Sequence, residues 1–306
     1  MTNRELYDMI VIGGGPAGYT AALYAARAGL SVAVIERLGA GGQMALTAEI
    51  DNYPGFPEGV DGFTLAENMK KQAERFGAET KSTEVLGLSL AADPKVIETA
   101  AGTLAARTVV IATGANPREL GLEEERSLVG RGVSYCAHCD GMFYRGKTVA
   151  VVGGGNSAAE DALLLSRVAK KVILIHRRDA LRATRVYQKS LFEAENVEFC
   201  WNSRVTKILH GERVEGLLIA DVHTGEEREL ALDGVFVSVG RVPATELLHG
   251  QIALDEAGYI LAGEDTKTNV PGVYAIGDVR QKPLRQIVTA VADGAVAVAA
   301  AEEYLA

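Results

Sequence analysis

The chain has 306 residues, a formal net charge of −9, 23% charged and 48% hydrophobic residues. At about 150 residues per domain this length predicts two domains, and the acidic balance argues against nucleic acid as an electrostatic partner, leaving small molecules or small proteins. The segment from Met1 to Asp8 mixes charges of both signs without an apolar signal stretch, and the Ala/Val run from Ala290 to Ala301 is broken by Asp293 and too short to span a bilayer. The expectation is a cytoplasmic protein without membrane attachment.

In chain order, Asp8 to Ile12 reads as a short apolar strand, followed by the turn Gly13-x-Gly15-x-x-Gly18, a helical stretch to Ala28, the stop Gly29 and a strand Ser31 to Ile35 that ends in Glu36. The same order returns at Thr148 to Val152, Gly153-x-Gly155-x-x-Ala158, a helix through about Arg167 and a strand Val172 to Ile175, which ends in a basic stretch. Val109 to Pro117 and Val235 to Pro243 echo one another, each a strand closed by Gly and then by Pro three residues on. These read as the two crossings between domains. The expected organisation is α/β, with two Rossmann-like, three-layer dinucleotide-binding domains, the second (117–245) inserted into the first (1–116 and 246–306).

Glycines in such a turn bring backbone N–H groups up to a pyrophosphate at a helix N-terminus, where the dipole and unpaired donors favour negative charge. From Gly13 to Glu36 is 23 residues, close to the spacing at which a carboxylate accepts hydrogen bonds from a ribose diol, so the first site predicts NAD or FAD. The same 23 residues added to Gly153 reach His176, followed by Arg177 and Arg178, with Arg182 nearby. Guanidinium forks there predict NADP, whose 2′-phosphate a carboxylate would repel. Near the C-terminus, Val273 to Asp278 reads as a strand ending in Gly277-Asp278, an Asp placed to bind a polyol such as the ribityl chain of a flavin, and Arg285-Gln286-Ile287 opens an Ala/Val-rich helix.

Between the two halves lies Cys136-Ala137-His138-Cys139-Asp140. Cysteines at i and i+3 across a tight turn come within disulfide range, so the pair can open and close, and Asp140 is a carboxyl within reach of sulfur for proton transfer or a helix cap. In a reducing compartment such a pair is more often catalytic or metal-binding than a structural staple. Zinc would need two further ligands, yet the only other cysteine is Cys200, read as an inert, partly buried thiol, and the histidines are scattered, so no metal is expected.

These stretches, with Gly41-Gly42-Gln43, Asn52-Tyr53-Pro54-Gly55 and Ala275-Ile276-Gly277-Asp278-Val279, resemble the low-molecular-weight bacterial thioredoxin reductases over essentially the whole length and in the family's order. The resemblance implies a homodimer that carries electrons from NADPH to FAD, to Cys136–Cys139 and to thioredoxin, with Cys139 facing the flavin, Cys136 attacking the partner disulfide and Asp140 handling protons. It implies FAD against Gly13, Gly15, Pro16, Ala17, Gly18, Glu36, Gly42, Gln43, Asn52, Thr113, Gly114, Gly277, Asp278, Arg285, Gln286 and Ile287. NADPH is implied against Gly153, Gly155, Asn156, Ser157, Ala158, His176, Arg177, Arg178 and Arg182. It also implies rotation of the inserted domain about the two Gly-to-Pro crossings. The other readings are a reductase of another thioredoxin-like or peroxidase-system protein, and a non-catalytic nucleotide-binding redox sensor. His138 departs from the small or hydroxyl residue common at its position in the family.

Overall fold

The computed structural model describes residues 5–37, 39–47, 50 and 52–306; the side chains of Leu46, His138 and Cys139 lie outside the description. The chain divides into two compact units, Met1–Asn116 with Val242–Ala306, and Pro117–Arg241. The first crossing follows Asn116. The second lies between Arg241 and Val242, four residues before the 245/246 boundary expected from sequence, because residues 242–245 bond within the first unit. There the Ala244 amide donates to Gly114 O at 3.0 Å and the Thr113 hydroxyl donates to Ala244 O at 2.7 Å.

The first unit begins with β1 (Leu6–Ile12), α1 (Pro16–Arg27) and β2 (Val32–Glu36). It continues through α2 (Gly62–Arg75), β3 (Glu79–Ser82), β4 (Val85–Ser89), β5 (Lys95–Thr99), β6 (Gly102–Ile111) and β7 (Ala115–Pro117). Six strands of a seven-stranded sheet run β3-β2-β1-β6-β5-β4, and the seventh, from the C-terminal segment, pairs with β6 off this path. Its β1, β2, β3 and β6 are parallel, and β4 and β5 add an antiparallel arm along the first half of β6. The buried positions of β1 and β2 are almost continuously apolar, as a strand covered on both faces requires.

The second unit contains β8 (Val133–Ser134), α3 (Ala137–Asp140), β9 (Thr148–Val152), α4 (Asn156–Ser166), β10 (Lys171–Ile175), α5 (Arg185–Glu193) and β11 (Val197–Cys200). There follow β12 (Ser203–His210), β13 (Val214–Asp221), β14 (Glu227–Ala231) and β15 (Gly234–Val237). Its parallel sheet has the order β11-β10-β9-β15-β8, and β12, β13 and β14 form a separate antiparallel sheet. Apolar side chains fill both sides of the parallel sheet: Ala158, Ala162 and Leu165 of α4 with Val149 and Val151 on one, Ile208, Leu217 and Ile219 with Ala150 and Ile173 on the other. That is a three-layer stack of helices, parallel sheet and antiparallel sheet.

After β16 (Arg241–Pro243) the chain returns to the first unit, where β17 (Val273–Ala275) pairs with the second half of β6 and α6 (Ile287–Leu305) packs on α1. Tyr274 secures this return, its hydroxyl donating to Ala300 O of α6 at 3.0 Å. Among the described residues no helix is long and apolar enough to cross a membrane.

Candidate active site and dinucleotide sites

At the first loop, Gly13 has φ +109°, and a Cβ there would run into the carbonyl oxygen of Ala112, so this position demands glycine. A Cβ at Gly18 would meet Gly13 O, which makes close approach of α1 to the turn the reason for the third glycine. Gly15 caps α1 without any side-chain bond, no acidic residue stands in the first turn, and a Cβ at Gly15 would meet nothing within 4 Å. The start of α1 is therefore open at Gly15 and carries no side-chain cap, a fit for a pyrophosphate. Glu36 ends β2 beside the turn, and its Oε2 accepts the Gly14 amide at 2.7 Å. The neighbouring Arg37 pairs with Glu84 at 2.9 Å.

Other residues expected around a flavin gather in the same unit. Gly41 donates its amide to Gly14 O at 2.7 Å, bringing Gly42 and Gln43 to the first loop. Asn52 donates to the Gln286 side chain at 3.0 Å, and Gln286 forms a capping box with Thr289 at the start of α6. Arg285 bonds to the carbonyls of Asp278 and Arg280 and lies over the Tyr259 ring at 3.9 Å, so it shapes the loop that carries Asp278.

Behind that loop stands a buried charge cluster that sequence reasoning missed. Asp293 of α6 accepts the Gly277 amide at 2.8 Å, both prongs of Arg280 at 2.9 and 2.8 Å, and Lys282 at 2.8 Å. Burial pushes the Asp293 carboxyl up, but Arg280, Lys282 and the Gly277 amide outweigh it and hold the group below its ordinary range. The signal was a lone acid within an Ala/Val helix, which must find cations once buried.

The second loop repeats the first with different ends. Gly153 has φ +153°, and a Cβ there would strike Ser238 O, the counterpart of Ala112 in the strand echo. Gly155 caps α4 without a side-chain bond and faces open space. The Ser238 hydroxyl donates to Asp161 of α4, tying the helix to that strand. His176 directly follows β10, its ring against Gly154, where a Cβ would overlap it. It is 5% exposed, and its Nε2 has no hydrogen-bond partner. Burial first, then Arg182, Arg178 and Arg177, hold the imidazole below its usual range, so the ring is neutral at pH 7. The segment after it is fastened to the loop by Arg182 N donating to Gly154 O at 2.7 Å and Thr184 N to Asn156 Oδ1 at 2.8 Å. Arg177, Arg178 and Arg182 are exposed beside the loop, and among the described residues none pairs with a carboxylate.

In the same unit, Cys136 is disulfide-bonded at the start of the α3 turn and Cys200 is free and buried. The side chain of Cys139 lies outside the described residues. Asp140 closes the turn, its amide donating to Cys136 O at 3.1 Å. Ser134, which the sequence reading passed over, lies 2.7 Å from Asp140 Oδ2 and accepts the Cys136 amide at 3.1 Å. The preceding segment is pinned by Glu125, 1% exposed, which accepts the amides of Leu120 and Gly121 and the Tyr135 hydroxyl. A groove beside Asp140 is lined by Arg131, Lys147, Tyr144, Arg213 and Asp233, with Phe143 at its edge and 66% exposed. Among the described residues no group of three His, Cys, Asp or Glu could hold a metal ion.

Residues 7–294 match the model of the pyridine nucleotide-disulphide oxidoreductases. The chain is 47% identical over 306 residues to a thioredoxin reductase of Streptomyces clavuligerus, covering 99% of this chain and 95% of that one. It is 44% identical over 307 residues to the thioredoxin reductase of Bacillus subtilis, covering 100% and 96%. The crystal structure of thioredoxin reductase from Streptococcus pyogenes superposes with a TM-score of 0.82 at 45% identity, covering 99% of both chains. Two glycine loops on parallel sheets, a disulfide-bonded cysteine on the turn before the second, and these matches over the whole chain lead to one conclusion: the chain belongs to the pyridine nucleotide-disulphide oxidoreductase family, among the thioredoxin reductases.

Proposed function

We propose that this chain is an NADPH-dependent flavoprotein that reduces the disulfide of thioredoxin. The observation that carries the reading is the disulfide-bonded Cys136 on a turn that also holds Asp140, in the unit that carries the second dinucleotide loop. FAD is assigned to the first loop, where Glu36 suits an unphosphorylated ribose and the amides of α1 suit a pyrophosphate. NADPH is assigned to the second, where among the described residues Arg177, Arg178 and Arg182 have no carboxylate partner beside Gly153–Gly155. When bound, the two cofactors supply an electron pair that opens the Cys136–Cys139 disulfide.

The protein's own residues do the rest. The Cys136 thiolate attacks one sulfur of the partner disulfide, forming a mixed disulfide and releasing a partner thiolate. Cys139 then attacks the Cys136 sulfur, restoring the internal disulfide and releasing the second partner thiolate. Asp140 holds a proton at its carboxyl and gives it to a departing thiolate. The groove beside it, cationic at Arg131, Lys147 and Arg213 and apolar at Phe143, suits a small acidic protein face. A homodimer and a cytoplasmic location complete the reading, on the family resemblance.

The test is NADPH consumption by the flavin-loaded protein with oxidised thioredoxin. Turnover that requires thioredoxin, together with a mixed disulfide trapped by Cys139→Ser and not by Cys136→Ser, supports the assignment. Absence of thioredoxin-dependent turnover refutes it, and the trap in the Cys136 variant alone reverses the two cysteine roles.

A further inference from the structure

Ser134 ends β8, where it stands opposite Phe236 of β15, and it is 2% exposed. Its Oγ sits among three groups of the redox turn: the Cys136 amide at 3.1 Å, Asp140 Oδ2 at 2.7 Å and Cys136 O at 3.3 Å. A hydroxyl has one hydrogen and two lone pairs. The amide takes one lone pair, so the single hydrogen must choose between the carboxylate and the carbonyl.

The choice follows the charge on Asp140. With Asp140 ionised, the Ser134 hydrogen lies on the shorter, charge-assisted path to Oδ2. With Asp140 protonated, the carboxyl's own hydrogen occupies that path and is donated to Ser134 Oγ, and the Ser134 hydrogen turns to Cys136 O. Oγ then accepts two bonds and donates one, so both arrangements satisfy the buried hydroxyl. No other atom needs to move.

We propose that Ser134 is a positioning residue for disulfide exchange: its hydroxyl turns from the Cys136 carbonyl to Asp140 as that acid gives its proton to a departing thiolate, and stabilises the carboxylate left behind. The proton goes from Asp140 to sulfur, the Ser134 hydrogen stays on its own oxygen, and the electron pair stays with the sulfur chemistry. This inference rests on the reading of Asp140 as the proton donor. Among the described residues Ser134 is the side chain that donates to that carboxylate. The other charged and titratable groups facing it line the same groove: Arg131, Lys147, Arg213, Asp233 and Tyr144. The helix packed on the turn, α4, offers the apolar Ala158, Ala162 and Leu165 around Ala137. Tyr135, next to Cys136, is engaged with Glu125.

The experiment compares wild type, Ser134→Ala, Asp140→Asn and the double variant, all flavin-loaded, for thioredoxin reduction by NADPH across the pH range, with the melting temperature as a folding control. Ser134→Ala is expected to slow exchange about tenfold, the loss of one charge-assisted bond in the reacting state. The loss is expected in kcat with the KM for thioredoxin unchanged, because the bond is made only in the reacting state. In the Asp140→Asn background the same substitution is expected to cost little further. A loss that falls on KM in Ser134→Ala, or a loss that adds in full to that of Asp140→Asn, overturns the proposal while leaving Asp140 as the acid. An Asp140→Asn variant with wild-type rate and pH profile overturns the reading of Asp140 itself, and with it the role of Ser134.

Discussion

The two glycine loops are built on one plan and diverge where they would meet the adenosine. In both, the first glycine backs onto a carbonyl oxygen of the next strand, Ala112 for Gly13 and Ser238 for Gly153, and the helix starts on a glycine with no side-chain cap. In both, the carbonyl of the second glycine accepts an amide from the segment beyond the following strand, Gly41 to Gly14 and Arg182 to Gly154, each at 2.7 Å. The strand ends differ. Glu36 binds the Gly14 amide, whereas His176 lays a neutral ring against Gly154. Even the arginines that follow are used differently, since Arg37 is held by Glu84 and Arg177 has no carboxylate partner among the described residues. On the proposed assignment, a shared backbone device for pyrophosphate is turned to two nucleotides by three or four side chains at one edge.

The comparison can be broken first behind the first loop, where the first unit has a buried charge cluster. Asp293→Asn leaves Arg280 and Lys282, with side chains 3% and 4% exposed, short of their anion, and should lower stability by about 3–5 kcal/mol. Because the folded-state pKa of Asp293 is depressed, its contribution is present above the unfolded value near 4 and fades as pH falls through the folded one. The variant should therefore show a flatter acid limb in a melting-temperature series against pH, and a wild-type limb would remove the cluster from the account.

Next in size is the nucleotide edge itself. Arg177→Ala with Arg178→Ala should reduce the preference for NADPH over NADH by about 10²-fold. That is near the low end for two charge-assisted contacts because both side chains are exposed. Kinetics with both nucleotides would read it, and an unchanged ratio would shift the discrimination elsewhere. The third position of each loop gives a smaller contrast. Gly18→Ala forces a Cβ against Gly13 O and should cost about 1–3 kcal/mol, whereas Ala158→Gly, at a site already shaped for a methyl group, should cost about 1 kcal/mol. Equal losses in thermal denaturation would mean that the two helices approach their turns alike. The smallest effect belongs to Glu84→Gln, which frees Arg37 at a pair that is exposed on both sides and should change stability by less than about 1 kcal/mol.

Much of this plan was readable from residues, because glycine turns and short apolar runs are local signals. The strand from Thr148 to Val152 falls on β9 as expected, and the helix expected to run to Arg167 ends at Ser166 with Arg167 as its cap. The second crossing was displaced because its position depends on the partners chosen by Ala244 and Thr113, which no local pattern encodes. The antiparallel arm of β4 and β5 and the sheet of β12 to β14 escaped notice, since their half-exposed strands alternate weakly. Ser134 was invisible for a different reason: a serine before Tyr135-Cys136 acquires meaning only when the turn brings Asp140 back to it. Asp293 was noticed only as an interruption of an apolar run, and its partners Arg280 and Lys282 lie more than ten residues away in sequence, beyond any helical spacing.

The central claim is that two like-built loops are sorted by their edges, with the phosphorylated nucleotide at His176, Arg177, Arg178 and Arg182. The most direct measurement is kcat/KM for NADPH and for NADH, with flavin-loaded protein and oxidised thioredoxin as acceptor. The account predicts a ratio of at least about 10² in favour of NADPH. A ratio near one would contradict it.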